Sequence, residues 1–437
     1  MANTYLTRTF STPTNRKIWT WSAWVKRQNL VSNYANAMFG AYYDGNNRSV
    51  IRFDTHELNF QDSANSVEIK TNRLFRDISA WYHIVARVDT TQGTASDRIR
   101  LYVNGEQQTS FKQADYPAQN DNMQFNGADP HYINGRNSSG SVDSIADMSY
   151  SHVHFCDGTA LAPTVFGETD ATTGEWKIKT DPSFTLGTNG FTILKDGNTI
   201  TDQSSNSNNW SLGAGTLTKT EDSPSNVFAT WNPLGALSTP PTFSNGNTTA
   251  AIPNSGGVFR STLAASSGKY YCEVKVTSLN AALIGIQPID SAYNASIFSD
   301  TSAIGIYGTG GEIYKNGSNL GGVASVTDND IIGMAIDLDN NNIYFSVNGQ
   351  YASGLSGSWN QAFGSAYAVA INSGHTYTIA SQNGGSGTSS NISINFGNGY
   401  FATTAVSSAG INASGNGIFE YDVPTGYTAL STKGLNL

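Results

Sequence analysis

The stretch WTWSAWVK, residues 19–26, sets Trp19, Trp21, Ala23 and Val25 on one side of the chain and Thr20, Ser22, Trp24 and Lys26 on the other. Side chains alternate between faces only in extended backbone, so this stretch predicts a β-strand, half-buried with its apolar face inward. The same period returns at Ile99, Leu101 and Val103 against Arg98, Arg100 and Tyr102. Asn104-Gly105 then supplies the positive φ angles of a two-residue hairpin turn. Farther on, Tyr270, Cys272, Val274 and Val276 alternate with Tyr271, Glu273 and Lys275. Met334, Ile336 and Leu338 lead through DNNN (339–342) to Ile343, Phe345 and Val347 and a second Asn-Gly at 348–349, which predicts a meander of two hairpins. HYINGR (131–136) and SYSHVHF (149–155) read as a last strand pair of the first core. No window carries helical periodicity, and RLFRDIS (73–79) is at most one helical turn. The fold class is all-β: two tandem antiparallel β-sandwich domains of jelly-roll, concanavalin-like type. Expected boundaries are 1–167 for the first sandwich, 168–245 for a bridging segment, 246–402 for the second sandwich and 403–437 for a C-terminal segment.

Composition agrees and narrows the function. The 437 residues exceed one ordinary sandwich core. Only 13% are charged, and 44 are glycine, a balance suited to short strands and tight turns. A net charge of −9, with 24 Lys and Arg scattered along the chain, gives no basic face for nucleic acid. No stretch approaches the roughly 20 apolar residues of a membrane helix, and MANTYLTRTF lacks the form of a signal peptide. Cys156 and Cys272 fall in different halves and read as small buried hydrophobes.

TPTNRKIWTWSAWVKR (12–27) and WYHIVARVDTTQGTASDRIRLYVNGEQQT (81–109) resemble laminin-G-like, concanavalin-A-type lectin modules. GKYYCEVKV (268–276), IIGMAIDLDNNNIYFSVNGQ (331–350) and ISINFGNGYF (392–401) resemble a SPRY module. The stretches 131–140, 153–176, 208–234 and 423–435 are similar to segments of marine bacteriophage virion proteins carrying such modules. The resemblance implies a non-enzymatic virion protein, a tail fibre or surface appendage. Its partners are then other virion proteins and host cell-surface glycan or protein, with no nucleic acid and no membrane insertion. It is made in the cytoplasm of an infected bacterium without a signal peptide, and it assembles as a homo-oligomer, by analogy a trimer. The first strand signature falls within two dozen residues of the start, which favours a compact appendage. The rival readings are a capsid decoration protein without host contact and a glycan depolymerase on the concanavalin-like domain.

Candidate site residues follow from chemistry. Tyr42, Tyr43, Tyr307, Tyr314 and Trp359 fall near predicted loops, where rings can stack on sugar faces. No cofactor is expected apart from calcium, for which Asp143 and Asp147, and Asp337 and Asp339 with Asp328 and Asp330 upstream, are the carboxylate candidates; such residues equally stabilise tight turns. Glu168, Asp170 and Glu175 are the nearest approach to a glycosidase carboxylate pair, in what reads as a solvated turn. His152 and His154 share a strand face with no third metal ligand in sequence reach.

Overall fold

In a computed structural model, the structure describes residues 3–30, 36–235, 239–254, 257–278, 280–292, 295–308, 310–384 and 389–437. The chain forms two compact units, Met1–Lys219 and Thr220–Leu437. Both are antiparallel β-sandwiches, and the one α-helical turn among the described residues is Ala95–Arg98. RLFRDIS is not helical: it closes the strand Val67–Leu74, and Asp77 then caps a bend by accepting from Ser79 N at 2.8 Å.

In the first unit an eight-stranded sheet runs, in spatial order, Phe111–Asp115, Val67–Leu74, Glu57–Asp62, Arg48–Asp54, Ala37–Tyr42, Pro130–Ile133, Tyr5–Thr9 and Ser211–Ala214. Facing it, a six-stranded sheet runs Phe191–Ile193, Met148–Asp157, Ile18–Arg27, Trp81–Asp89, Ile99–Val103 and Glu106–Gln107. The expected pairing of 131–136 with 149–155 is therefore corrected. The former lies between Tyr5–Thr9 and Ala37–Tyr42, and the latter pairs with Ile18–Arg27 in the other sheet. Periodicity locates strands but cannot assign them to a layer.

Trp19, Trp21, Ala23 and Val25 fill the core with Phe39, Phe60, Phe125 and Phe155. Trp21 stacks on Phe39 at 5.7 Å, and Trp19 on Phe155 at 5.8 Å. The Asn-Gly turn forms as read, with Asn104 at φ 50° and Gly105 at φ 80°.

The second unit pairs a sheet whose path is Thr242–Ser244, Thr249–Ile252, Ser390–Asn395, Lys269–Ser278, Ile331–Asp337, Asn342–Val347, Gln350–Ala352 and Trp359–Gln361 with a six-stranded sheet. The latter runs Phe259–Ala265, Tyr377–Asn383, Ala282–Pro288, Ile304–Tyr307, Glu312–Lys315 and Ser318–Gly322. The meander from 331 to 352 forms as the alternation requires.

The stretch 168–245 divides between the units. Phe191–Ile193 pairs with Met148–Asp157, and Ser211–Ala214 with Tyr5–Thr9. Trp231 is bridged to Ser261, and Thr242–Ser244 begins the second sandwich. The C-terminal stretch adds Thr428–Ala429 as a parallel neighbour of Lys269–Ser278. Its strand lies within the second sandwich, not beyond it.

One expectation fails in both units for one reason. Strand Ile18–Arg27 was read as half-buried, yet Thr20 and Ser22 are fully buried and Lys26 is 2% exposed. The segment 158–186 covers that face: Thr20 Oγ1 donates to Thr159 O, Arg87 Nε to Ala160 O, and Phe166 packs on Val85 and Tyr102. In the second unit Tyr271 and Glu273, the polar alternates of their strand, are buried beneath Phe228, Phe419, Val423 and Tyr427. Both sandwiches thus carry a covering layer over a sheet face that alternation alone assigns to solvent.

Candidate functional site

Among the aromatic candidates, Tyr43 is the one left open to solvent, at 65% exposure. It sits at the tip of the hairpin between Ala37–Tyr42 and Arg48–Asp54, while Tyr42 is half-buried at the strand end. Asp44 Oδ1 accepts from Asn46 N at 2.8 Å and Asn47 N at 2.9 Å, and Ser63 Oγ donates to Asn46 O at 2.7 Å. These bonds order the tip before any partner arrives, which lowers the entropic cost of binding.

Tyr307 and Tyr314 lie in strands rather than loops, and the fold brings them together. With Phe298 they form a three-ring cluster, each pair edge to face at 4.8–5.8 Å. The rings are half-buried on the outer side of the six-stranded sheet, over Leu283, Ile297 and Ala380. Trp359 begins a short strand, packs against the core, and donates from Nε1 to Ala324 O at 3.0 Å. Its ring has structural partners and is far less available than Tyr43.

Four of the calcium candidates are already engaged by donors of the chain. Asp337 is buried and accepts from the Lys269 ammonium at 2.9 Å and from Asn340, which hold it below the usual carboxylate range against burial. Asp339 accepts from Gly268 N at 2.7 Å. Asp330 caps Thr327 and binds Asn348 Nδ2. Asp143 faces the Arg136 guanidinium at 3.2 Å and accepts from Ser138 and Ser144. Burial pushes Asp147 up. A divalent ion needs several free oxygens, whereas at Asp143, Asp330, Asp337 and Asp339 fixed cations or turn donors already hold them. No cluster of three His, Cys, Asp or Glu occurs among the described residues.

The carboxylates at 168–175 form no acid–base pair in a cleft. Glu168 and Asp170 both reach Lys177, at 3.5 and 3.2 Å, on an exposed hairpin. Backbone donors from Thr173 and Thr172, with Lys177, bring Asp170 down to about 2. A general acid requires the opposite displacement.

His152 lies within a β-bulge, at φ 50°, and His154 directly follows it, their rings 6.2 Å apart at 62°. His154 is buried between Phe166 and Phe184 with Nδ1 on Thr192 Oγ1. His154 thus lies on the sheet beneath the covering layer. The sequence reading missed its keystone, His83, which is fully buried between Trp24 and Trp176 with ring centroids 4.9 and 5.9 Å away. Trp176 Nε1 donates to His83 Nδ1 at 3.0 Å, so the neutral ring carries its proton on Nε2 and donates to Ser22 Oγ at 2.9 Å. Burial lowers His83 to about 3.

Residues 2–149 match the family described as the Concanavalin A-like lectin/glucanases superfamily. Comparison with curated proteins gives no match. Among solved structures the chain is similar to the SPRY domain of human HERC1, at 16% identity and TM-score 0.30, covering 38% of this chain and 96% of that one. It is also similar to the TRIM65 PSpry domain, at 13% identity and TM-score 0.30, over 38% and 91%. Stonustoxin matches at 14% identity and TM-score 0.29, over 38% of this chain and 27% of that one. No described helix is long and apolar enough to cross a membrane.

Proposed function

We propose that the chain is a non-enzymatic structural and recognition protein of a bacterial virus particle, a tail fibre or surface appendage that binds host-surface glycan or protein. The observation that carries the recognition half is the placement of aromatic side chains: Tyr43 stands on an ordered hairpin tip, and Tyr307 and Tyr314 share one face of a sheet. Rigid rings on a β scaffold give contact area at low entropic cost. The match of residues 2–149 to a superfamily of lectins and glucanases supports carbohydrate as the partner, and the stretches similar to phage virion proteins support the virion half. Attachment works by avidity, many copies on one particle turning weak single contacts into firm adhesion. Homo-oligomeric assembly, a trimer for instance, serves that end.

The test is labelled purified chain incubated with susceptible bacteria and, separately, with assembled particles. Saturable binding to cells, reduced in Tyr43→Ala or Tyr314→Ala, supports the proposal. Binding to capsids alone makes the chain a decoration protein, and release of reducing ends from host polysaccharide makes it a depolymerase.

A further inference from the structure

The neighbour of the three-ring cluster that the sequence reading did not single out is Glu312. Strands Ile304–Tyr307 and Glu312–Lys315 pair so that Tyr307 stands opposite Glu312 and Gly305 opposite Tyr314. Directly paired residues share a sheet face, as do residues two apart on one strand. Tyr307, Glu312 and Tyr314 therefore project from the outer face, while Ile304, Ile306 and Ile313 fill the core. Glu312 Oε2 is withdrawn from solvent with no hydrogen-bond partner among the described residues. A shielded acceptor without a donor is unfavourable, so this oxygen favours a ligand that brings one. Glycines let the backbone approach these side chains closely: a Cβ at Gly310 would lie 2.4 Å from Oε2, and one at Gly384 would lie 1.9 Å from the Phe298 ring. Asn319 Nδ2, exposed beside the rings, reaches Tyr314 Oη at 3.4 Å.

We propose that Glu312, Tyr307, Tyr314 and Phe298 form a saccharide subsite that takes one pyranose ring of a glycan. The inference rests on the recognition reading above and deepens it. A pyranose presents a C–H face for an aromatic ring and several hydroxyl donors for an acceptor-only carboxylate. The neutral amide of Asn319 and the tyrosine hydroxyls complement hydroxyl groups rather than a second charge. A cationic side chain of a protein partner is the competing occupant, since it would also satisfy Glu312.

Saturation-transfer NMR on the full chain distinguishes them, with the methyl pyranosides of glucose, galactose, mannose and N-acetylglucosamine, and with lysine and arginine amides as cationic probes. The expected result is transfer to the ring C–H protons of at least one pyranoside. Affinity then falls by roughly tenfold or more in Glu312→Gln, the loss of one charge-assisted hydrogen bond, and in Tyr314→Ala. Glu312→Gln keeps the side chain's size and removes its charge, so it reads the carboxylate itself. No transfer from any pyranoside, transfer that survives both substitutions, or binding of the cationic amides alone overturns the subsite. Cell attachment by a parent chain that binds no pyranoside removes the subsite and leaves the attachment reading standing. Pyranoside binding in a chain that fails to attach to cells does the reverse.

Discussion

The two sandwiches bury the same kind of surface with opposite chemistry. In the first, the segment 158–186 closes chiefly over neutral rings, with the Arg87 guanidinium donating to Ala160 O: His83 lies between two tryptophans, His154 between Phe166 and Phe184, and Val85 and Tyr102 beneath Phe166. In the second, the C-terminal stretch closes over a carboxylate. Glu273, fully buried, accepts from Glu420 N at 2.9 Å, Tyr421 N at 2.8 Å, Tyr271 Oη at 3.1 Å and Asn395 Nδ2 at 3.4 Å. A covering layer over a polar alternate face needs its polar atoms matched, either by neutral rings that donate and accept or by an acceptor ringed with donors. The choice decides how each unit responds to protons.

The largest expected effect is therefore a pH dependence of opposite sign in the two units. Burial lowers His83 and His131 to about 3 and His152 to about 4, and His154 well below the usual imidazole value. Between about 3 and the unfolded value near 6.5 the unfolded chain holds the extra protons, so this stability is complete above 6.5 and is lost as pH falls. Asp62 and Asp147, pushed up by burial, act the other way in the same unit, but the four imidazoles outnumber them. Burial raises Glu273 to about 7 against the pull of its donors, so the folded second unit holds the extra proton between about 4.5 and 7. Its contribution is complete below 4.5 and declines as pH rises to 7.

Calorimetry at pH 4.5 and 7 should show the first unit's transition falling on acidification relative to the second. Six of the eight tryptophans lie in the first unit, so fluorescence assigns the transitions. Glu273→Gln should flatten the second unit's dependence over that window. Parallel movement of both transitions would break the contrast.

A smaller effect is expected from Trp176→Ala. This half-buried ring covers His83, donates to it, and leans on Gly105, where a Cβ would meet it at 2.5 Å. Its removal should cost about 2 kcal/mol, the sum of a partly buried aromatic and one hydrogen bond to a buried group. Amide exchange in 158–186 should accelerate, and the His83 pKa should rise as water reaches the ring. Unchanged exchange would mean that Phe166 and Phe184 hold the cover alone.

The strands were legible because their evidence is local: Trp19, Trp21, Ala23 and Val25 announce a core face, and Asn104-Gly105 and Asn348-Gly349 announce turns that formed with φ values of 49–80°. The covering layers were not legible, because the segments that close over Ser22 and Glu273, 158–186 and the C-terminal stretch, lie far along the chain from both. Arg27 shows the limit most plainly. It closes a strand as a charged residue ordinarily does at a solvated end, yet it is fully buried, its Nη1 donating to Phe75 O at 2.6 Å and its Nη2 to Thr55 O at 2.8 Å. Backbone carbonyls leave no signature in sequence. The aromatic site was half legible: composition singled out Tyr307 and Tyr314, and only the strand register added Glu312 between them and Phe298 beside them.

The smallest structural effect belongs to Lys177→Ala, and it sharpens the contrast by testing the first unit's cover for chemistry. Lys177 is exposed and joins Glu168 and Asp170 across the hairpin, a pairing that solvent screens heavily, so the melting temperature should not move measurably. Asp170 should respond in a carbon-detected titration, rising from about 2 toward the ordinary aspartate range as the ammonium is removed. Backbone donors from Thr172 and Thr173 remain and keep it below that range. A carboxyl that starts so low cannot protonate a leaving group near neutral pH, and its neighbour Glu168 faces solvent beside the same lysine. Neither the parent chain nor the variant should therefore release reducing ends from host polysaccharide. Hydrolysis that Lys177→Ala abolishes would place these carboxylates in an active site and make the first unit an enzyme.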